Sequence, residues 1–299
     1  MNQANFSRSE WIINLVIRIS GYSTILFVSL IFLFLLREGL PALGSVSLSN
    51  LLGQRWYPIE EHFSLLPLLW GSLIVTVGAL LIAIPFGVGT SVFISEVAPQ
   101  WVNNLVKPLI EILAGLPSVM LGFLGIQVAA PLLRRLLDLP TGLSAFTGAA
   151  LLALIATPTI VSITEDALNT VPASFREASL ALGATRWQTI WGVSVPAAKS
   201  GILTAVMLGV GRSIGETMAV MMVTGNAPVL PNSLNFFFTP VRTMTATIAS
   251  EMGEVANGSH HYQVLFLIGI VLFVISMAVN IAASAFSLRG KKRADKMLS

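Results

Sequence analysis

The sequence predicts an all-α polytopic membrane protein with six transmembrane helices, and three observations predict it. Of 299 residues, 55% are hydrophobic and only 10% are charged, whereas soluble domains carry roughly 25% charged residues. In water such a chain would leave too much apolar surface exposed. The apolar residues also fall in long uninterrupted runs, which favours one integral membrane domain over two soluble ones. Finally, Lys and Arg concentrate between alternate runs, as they do in short cytoplasmic loops.

A hydrocarbon core about 30 Å thick needs about 20 apolar helical residues. Ile19–Leu36, Leu65–Ser95, Leu109–Leu133, Phe146–Thr164, Ile202–Thr224 and Val264–Leu288 meet or approach that length. The first run is too long for a signal-peptide core and enters Arg37-Glu38-Gly39 without a small-residue cleavage pattern, so it is expected to stay as an anchor helix. Six crossings place both termini on one side. The tail residues Arg289, Lys291, Lys292, Arg293 and Lys296 assign that side to the cytoplasm. With Arg212 set aside, 11 basic residues fall on the cytoplasmic side and 5 outside, although Arg134-Arg135 runs against the trend.

The expected organisation is an anchor helix and outer segment over 1–64, a transmembrane core over 65–288 with a cytoplasmic loop at 170–199, and a basic tail over 289–299. The outer segments Gly39–Ser64 and Gly225–Gln263 have room for short surface helices or loops, with Trp56 and Tyr57 suited to the membrane interface; Asp138–Ala145 is a tight connection. Pro85, Pro117 and Pro158 are expected to kink or break their helices. The small residues of Gly115-Leu116-Pro117-Ser118 suit a close helix crossing equally well.

The longest polar stretch on the cytoplasmic side runs from Arg176 through Glu177, Gly183, Arg186 and Trp191 to Pro196, with a helix-turn-helix cadence. Asn169, Thr170 or Ser174 can cap its first helix, Pro172 sits early in it, and Gly183 permits a sharp turn. Leu180 and Leu182, beside Ala178, Ala181 and Ala184, form a small apolar knob with charged shoulders, suited to a groove on a partner.

This spacing resembles the docking loop of ABC importer permeases, in which Glu-Ala-Ala is followed by three residues, Gly, nine residues and Ile-x-Leu-Pro. Glu177, Ala178, Gly183 and Pro196 match in register, with Ser179, Val193 and Val195 as conservative departures. The resemblance implies a type I ABC importer permease architecture. It also implies that Glu177, Ala178, Leu180, Leu182, Gly183 and Arg186 couple the chain to a nucleotide-binding subunit. No Gly-Lys-Ser/Thr nucleotide loop occurs in the chain, so the ATPase is expected to be a separate polypeptide.

Arg212 and Glu216 lie in the apolar stretch Leu208-Gly209-Val210-Gly211-Arg212-Ser213-Ile214-Gly215-Glu216-Thr217. An intramembrane charge costs about 2.5–3.5 kcal/mol on insertion scales and therefore faces a cavity or a partner. Spacing of four residues puts both on one helical face, where they either hold an oxyanion or neutralise each other. Gly211 to Val220 followed by Asn226-Ala227-Pro228 is similar to the fifth span of phosphate importer permeases of the PstC type. Pro108 to Ser118 and Thr245 to Glu251 resemble the same family.

That resemblance implies a substrate pathway involving Arg212, Glu216, Ser213 and Thr217. Its expected partners are a sister permease of the PstA type, two ATPase subunits of the PstB type and a periplasmic phosphate-binding protein of the PstS type, in the bacterial inner membrane. Arg212 offers a forked, permanently charged donor to oxygen atoms. Glu216 can accept from the hydroxyl of protonated phosphate, a donor that sulfate lacks.

No cofactor and no metal are expected. Glu251, Glu254, His260 and His261 lack tight ligand spacing and suit an exposed outer loop, and Glu111 suits a helical pair with Lys107. The rival readings are a permease for molybdate, tungstate or sulfate, or an ion-coupled secondary transporter. An intramembrane enzyme is disfavoured, because the spans carry neither paired Asp residues nor a Ser-His arrangement.

Overall fold

The computed structural model describes residues 8–230 and 235–298. Residues 1–7, 231–234 and 299, which belong to the predicted terminal and outer segments, lie outside the described residues. Among the described residues, five helices are long and apolar enough to cross a bilayer, and the bent segment Arg186–Ala197 with Lys199–Gly215, broken by 69°, supplies a sixth.

Helix α1 (Arg8–Gly39) exposes large apolar side chains around its whole circumference from Trp11 to Phe34, as a lipid-surrounded anchor does. The second crossing is α2 (Leu66–Val92), ending in a π-turn at Phe93–Val97. Pro85 lies inside α2, and Pro158 inside α6 (Ala145–Asn169), without splitting either helix. Neighbouring helices can accommodate the missing hydrogen bond in a membrane bundle.

Pro117 does end a helix, and it corrects the third span. In place of one run from Leu109 to Leu133, α3 (Gln100–Gly115) stops at an extended Leu116-Pro117, and the crossing is Ser118–Leu136. That crossing consists of α4 (Ser118–Leu124), a π-turn at Gly125–Ala129 and α5 (Ala130–Leu136). The clash of a proline ring with the preceding residue pushes Leu116 out of the helical region. α3 is amphipathic and lies outside the spans.

The fifth span is also divided. After the short loop helices α7 (Ala173–Ala181) and α8 (Arg186–Thr189), α9 (Lys199–Gly215) enters the membrane. Its 17 residues reach about 25 Å, short of the roughly 30 Å core. The chain opens at Glu216-Thr217 and resumes as α10 (Met218–Val223). Gly201, Ala205, Gly209 and Ser213 form a ridge at four-residue spacing. It packs on α6 so closely that a Cβ on Gly209 would stand 2.7 Å from Ile160 Cγ1.

Two further helices are α11 (Met244–Glu251) and α12 (His260–Leu298), which runs without interruption through the tail residues and packs against α1 and α9. Outside the membrane, β1 (Trp56–Tyr57) and β2 (His62–Phe63) pair antiparallel. The Trp56 N–H then donates to Pro228 C=O at 2.9 Å, fastening the two outer segments together.

Trp56 is therefore not an interface anchor. It is 1% exposed, packs with Phe63, Leu68 and Leu265, and its indole N–H lies 3.1 Å from both Glu251 oxygens. Glu251 also holds Arg242 at 2.7 Å and His261 at 2.8 Å. Glu251 and His261 thus belong to a part-buried polar hub, while Glu254 and His260 are exposed as expected, and no group of three or more metal-ligating side chains occurs among the described residues.

Candidate functional site

The loop at 170–199 takes the predicted helix-turn-helix form. α7 begins after Pro172 with no side-chain cap, so Asn169, Thr170 and Ser174 do not cap it. Asn169 is the last residue of α6 and accepts from Ser95 Oγ at 3.0 Å, while the Thr170 hydroxyl donates to Ala167 C=O.

Gly183 supplies the turn with φ +86°. Its N–H donates to Leu180 C=O, and Ala184 N–H reaches back to Ser179 C=O, the paired bonds of a left-handed helix stop. The next helix starts immediately with a capping box. Thr185 Oγ1 accepts from Gln188 N–H at 3.3 Å, and Thr185 N–H donates to Gln188 Oε1 at 2.8 Å. Ser179 and Thr189 share a hydroxyl hydrogen bond at 3.0 Å that ties α7 to α8.

The predicted coupling residues lie on α7, on the turn and at the start of α8. Glu177, Ala178, Leu180, Leu182, Gly183 and Arg186 are all exposed, Leu182 at 90%. Trp187 and Trp191 extend the apolar surface, packed edge-on with ring centroids 5.7 Å apart. A protruding leucine between rigid turns is suited to filling a groove.

At the second site the predicted geometry changes. α9 ends at Gly215, so Arg212 stands in its last turn while Glu216 is extended, with ψ 126°. The pair does not share a helical face, and no ion pair joins them among the described residues. Glu216 Oε1 instead accepts from Thr217 N–H at 3.2 Å and Ala219 N–H at 3.3 Å, closing the start of α10. The Glu216 carbonyl, freed by the break, accepts from Thr245 Oγ1 on α11 at 3.3 Å.

Arg212 lies about 20 Å along the axis from Lys199. It is exposed together with Leu208, Gly211 and Gly215, a stripe at i, i+3, i+4 and i+7 whose glycines have open space where a Cβ would be. Thr217 borders the break and its hydroxyl donates to Gly215 C=O. Ser213 points the other way, on the ridge facing α6, 2% exposed and with its hydroxyl unpartnered among the described residues.

Sequence reading missed two ion pairs that join the helix ends on the side of this loop. Lys107 pairs with Glu165 at 3.1 Å, and not with Glu111. The hydrogen bond and charge of Glu165 hold the Lys107 ammonium above its ordinary range. Arg176 pairs with Glu96 at 2.7 Å. Partners so far apart in the chain leave no periodic signal. The Thr-x-x-Gln capping box was legible and went unread.

Five to six helices long and apolar enough to cross a bilayer define an integral membrane protein. Residues 83–292 match the family described as binding-protein-dependent transport system inner membrane component, and the chain belongs to that family. It is a multi-pass inner-membrane permease subunit of an ABC importer. It works with a substrate-binding protein and with an ATPase subunit that performs the hydrolysis.

Among relatives, it is 41% identical to the probable ABC transporter permease protein YqgH of Bacillus subtilis, over 79% of this chain and 76% of that protein. It is 34% identical to the phosphate transport system permease protein PstC of Mesorhizobium japonicum, over 83% and 80% respectively. The fold is shared with the inward-facing MetNI methionine ABC transporter at TM-score 0.61 and 18% identity, covering 79% of this chain and 99% of that one. A bacterial alginate ABC transporter in complex with alginate pentasaccharide-bound periplasmic protein gives TM-score 0.64 at 13% identity, covering 94% and 96%.

Proposed function

We propose that the chain is the permease subunit of an ATP-driven inorganic phosphate importer, with a PstA-type sister permease, PstB-type ATPases and a PstS-type binding protein. The observation that carries this reading is Arg212, a guanidinium exposed on an open, glycine-lined stripe of a membrane helix and free of any carboxylate partner among the described residues. The high cost of an unpaired intramembrane charge argues for an anionic partner that comes and goes. Relatives named as phosphate transport permeases support phosphate as that anion.

In this reading Arg212 binds the oxyanion by charge-assisted hydrogen bonds. Thr217 and the free oxygen of Glu216 line the break, and Glu216 accepts from the phosphate hydroxyl. Ser213 supports the stripe from its buried side. Glu177, Ala178, Leu180, Leu182, Gly183 and Arg186 seat the ATPase, and the rigid α9 carries its movement from the loop to Arg212. Both termini are cytoplasmic, with 1–64 as anchor and outer segment, 65–288 as the transport core including the loop at 170–199, and 289–299 as a basic tail.

The test is uptake of radiolabelled phosphate into proteoliposomes holding the full complex, in competition with sulfate, molybdate and tungstate. ATP-dependent uptake displaced by excess phosphate alone is the expected result. Displacement by one of the other oxyanions, or uptake driven by an ion gradient without ATP, overturns the assignment.

A further inference from the structure

Two π-turns interrupt the helices on the cytoplasmic side, one at Phe93–Val97 ending the second crossing and one at Ile190–Ser194 in the docking loop. In the first, Ala98 N–H bonds to Phe93 C=O at 2.8 Å. The extra residue per turn re-aims the side chains that follow, and π-turns cluster at functional positions. Glu96 lies in this turn with only 7% of its side chain exposed. An acidic group that enclosed needs a partner.

Its partner is Arg176, the fourth residue of α7. Arg176 Nε lies 3.1 Å from both Glu96 oxygens and Nη2 donates to Oε1 at 2.7 Å. Two further donors go to backbone carbonyls. Nη1 donates to Val171 C=O at 2.8 Å and Nη2 to Leu168 C=O at 2.9 Å. One guanidinium therefore satisfies a carboxylate from the second crossing, a carbonyl at the end of the fourth, and a carbonyl in the connector between the fourth crossing and the docking helix. A planar fork with five donors can do this, and a lysine cannot.

Below this joint, Val92, Leu168, Val171, Ile190 and Ala198 pack into one apolar cluster, so the ends of the second and fourth crossings, the loop and the entry to α9 share a core. The docking residues Glu177, Ala178 and Leu180 follow Arg176 on the same short helix, yet they are exposed while Arg176 faces inward.

We infer that Arg176 is a positioning residue which, through Glu96, joins the docking helix to the cytoplasmic ends of the second and fourth crossings as one mechanical unit, so that ATPase movement reaches those helices without being lost in the loop. This rests on the reading of the loop as the ATPase seat. Without the joint, α7 would follow the ATPase while the second crossing lagged behind. The signature of its loss is ATP hydrolysis that continues while transport per ATP falls.

The chain contains no cysteine, which permits a direct test in the reconstituted full complex, measuring ATP hydrolysis and phosphate uptake in parallel. Glu96→Gln and Arg176→Lys are expected to retain the ATPase on co-purification and to lower phosphate moved per ATP by roughly fivefold or more, within the usual range of coupling effects. The double variant Glu96→Cys with Arg176→Cys should be similarly uncoupled, and bridging its two thiols with a short bifunctional maleimide should restore transport per ATP.

Wild-type transport per ATP in Glu96→Gln, or a bridge verified by mass that restores nothing, overturns the inference. Leu182→Asp separates the two failures. If it still binds the ATPase, the docking reading falls; if it loses the ATPase while Glu96→Gln couples normally, only the joint falls.

Discussion

The Glu216 carboxylate accepts a hydrogen bond from Ala219 N–H at 3.3 Å and so closes the start of the outer half-helix. Glu216 thus has a structural task besides any contact with substrate, and two substitutions separate the tasks. Glu216→Ala removes the acceptor at the helix start and is expected to cost about 0.5–2 kcal/mol, as lost helix caps do. Glu216→Gln keeps an acceptor oxygen and should leave thermal stability nearly unchanged. Both should lose phosphate-over-sulfate discrimination when assayed without the binding protein. Full discrimination in Glu216→Gln would show that the carboxylate does not read the phosphate hydroxyl.

Arg212 stands alone on its stripe, so its removal should cost transport and little stability. A hydrogen bond to a charged group contributes about 1.5–3 kcal/mol, which makes Arg212→Gln roughly tenfold or more slower in uptake. Arg212→Lys keeps the charge without the fork and should fall between the two. Uptake rates at saturating binding protein, with ATPase content checked by co-purification, measure this.

At Gly183 a Cβ would meet nothing within 4 Å, so the cost of substitution is the left-handed backbone itself, φ +86°. That penalty is about 1–2 kcal/mol for most residues, with asparagine better tolerated. Gly183→Val should therefore uncouple hydrolysis from uptake or prevent assembly, and Gly183→Asn should retain most coupling. Gly183→Asp adds a charge to the docking surface and should fail despite an acceptable backbone. The ratio of uptake to hydrolysis in proteoliposomes ranks the three.

Glu251 accepts from Trp56 and is paired with Arg242 and His261. Glu251→Ala leaves the partly buried Arg242 without its counter-charge, and loss of hydrogen bonds to charged groups costs about 1.5–3 kcal/mol. The expected outcome is loosening of the outer segments, read as faster proteolysis near residues 53–63 with the transmembrane core intact. Unchanged cleavage rates would contradict the hub role.

Most of the architecture was legible because it is set by the solvent. Runs of apolar residues locate the crossings, and Gly183 between two short helical patterns locates the turn between α7 and α8. Backbone defects inside the membrane left no such signal. Pro85 and Pro158 run through intact helices while Pro117 breaks one, because neighbouring helices decide whether a missing hydrogen bond is tolerated. Glu216 follows Arg212 at helical spacing, yet the helix stops between them.

The sequence by itself determined the membrane class, the number of crossings and the exposed knob at Leu180 and Leu182, since these depend on composition and on local turns. Only the tertiary structure decided which charges meet. Arg176 finds Glu96 and Lys107 finds Glu165 because packed helix ends bring residues distant in the chain within hydrogen-bond reach. An enclosed carboxylate takes whichever donor the fold supplies, and no spacing along the chain encodes that choice.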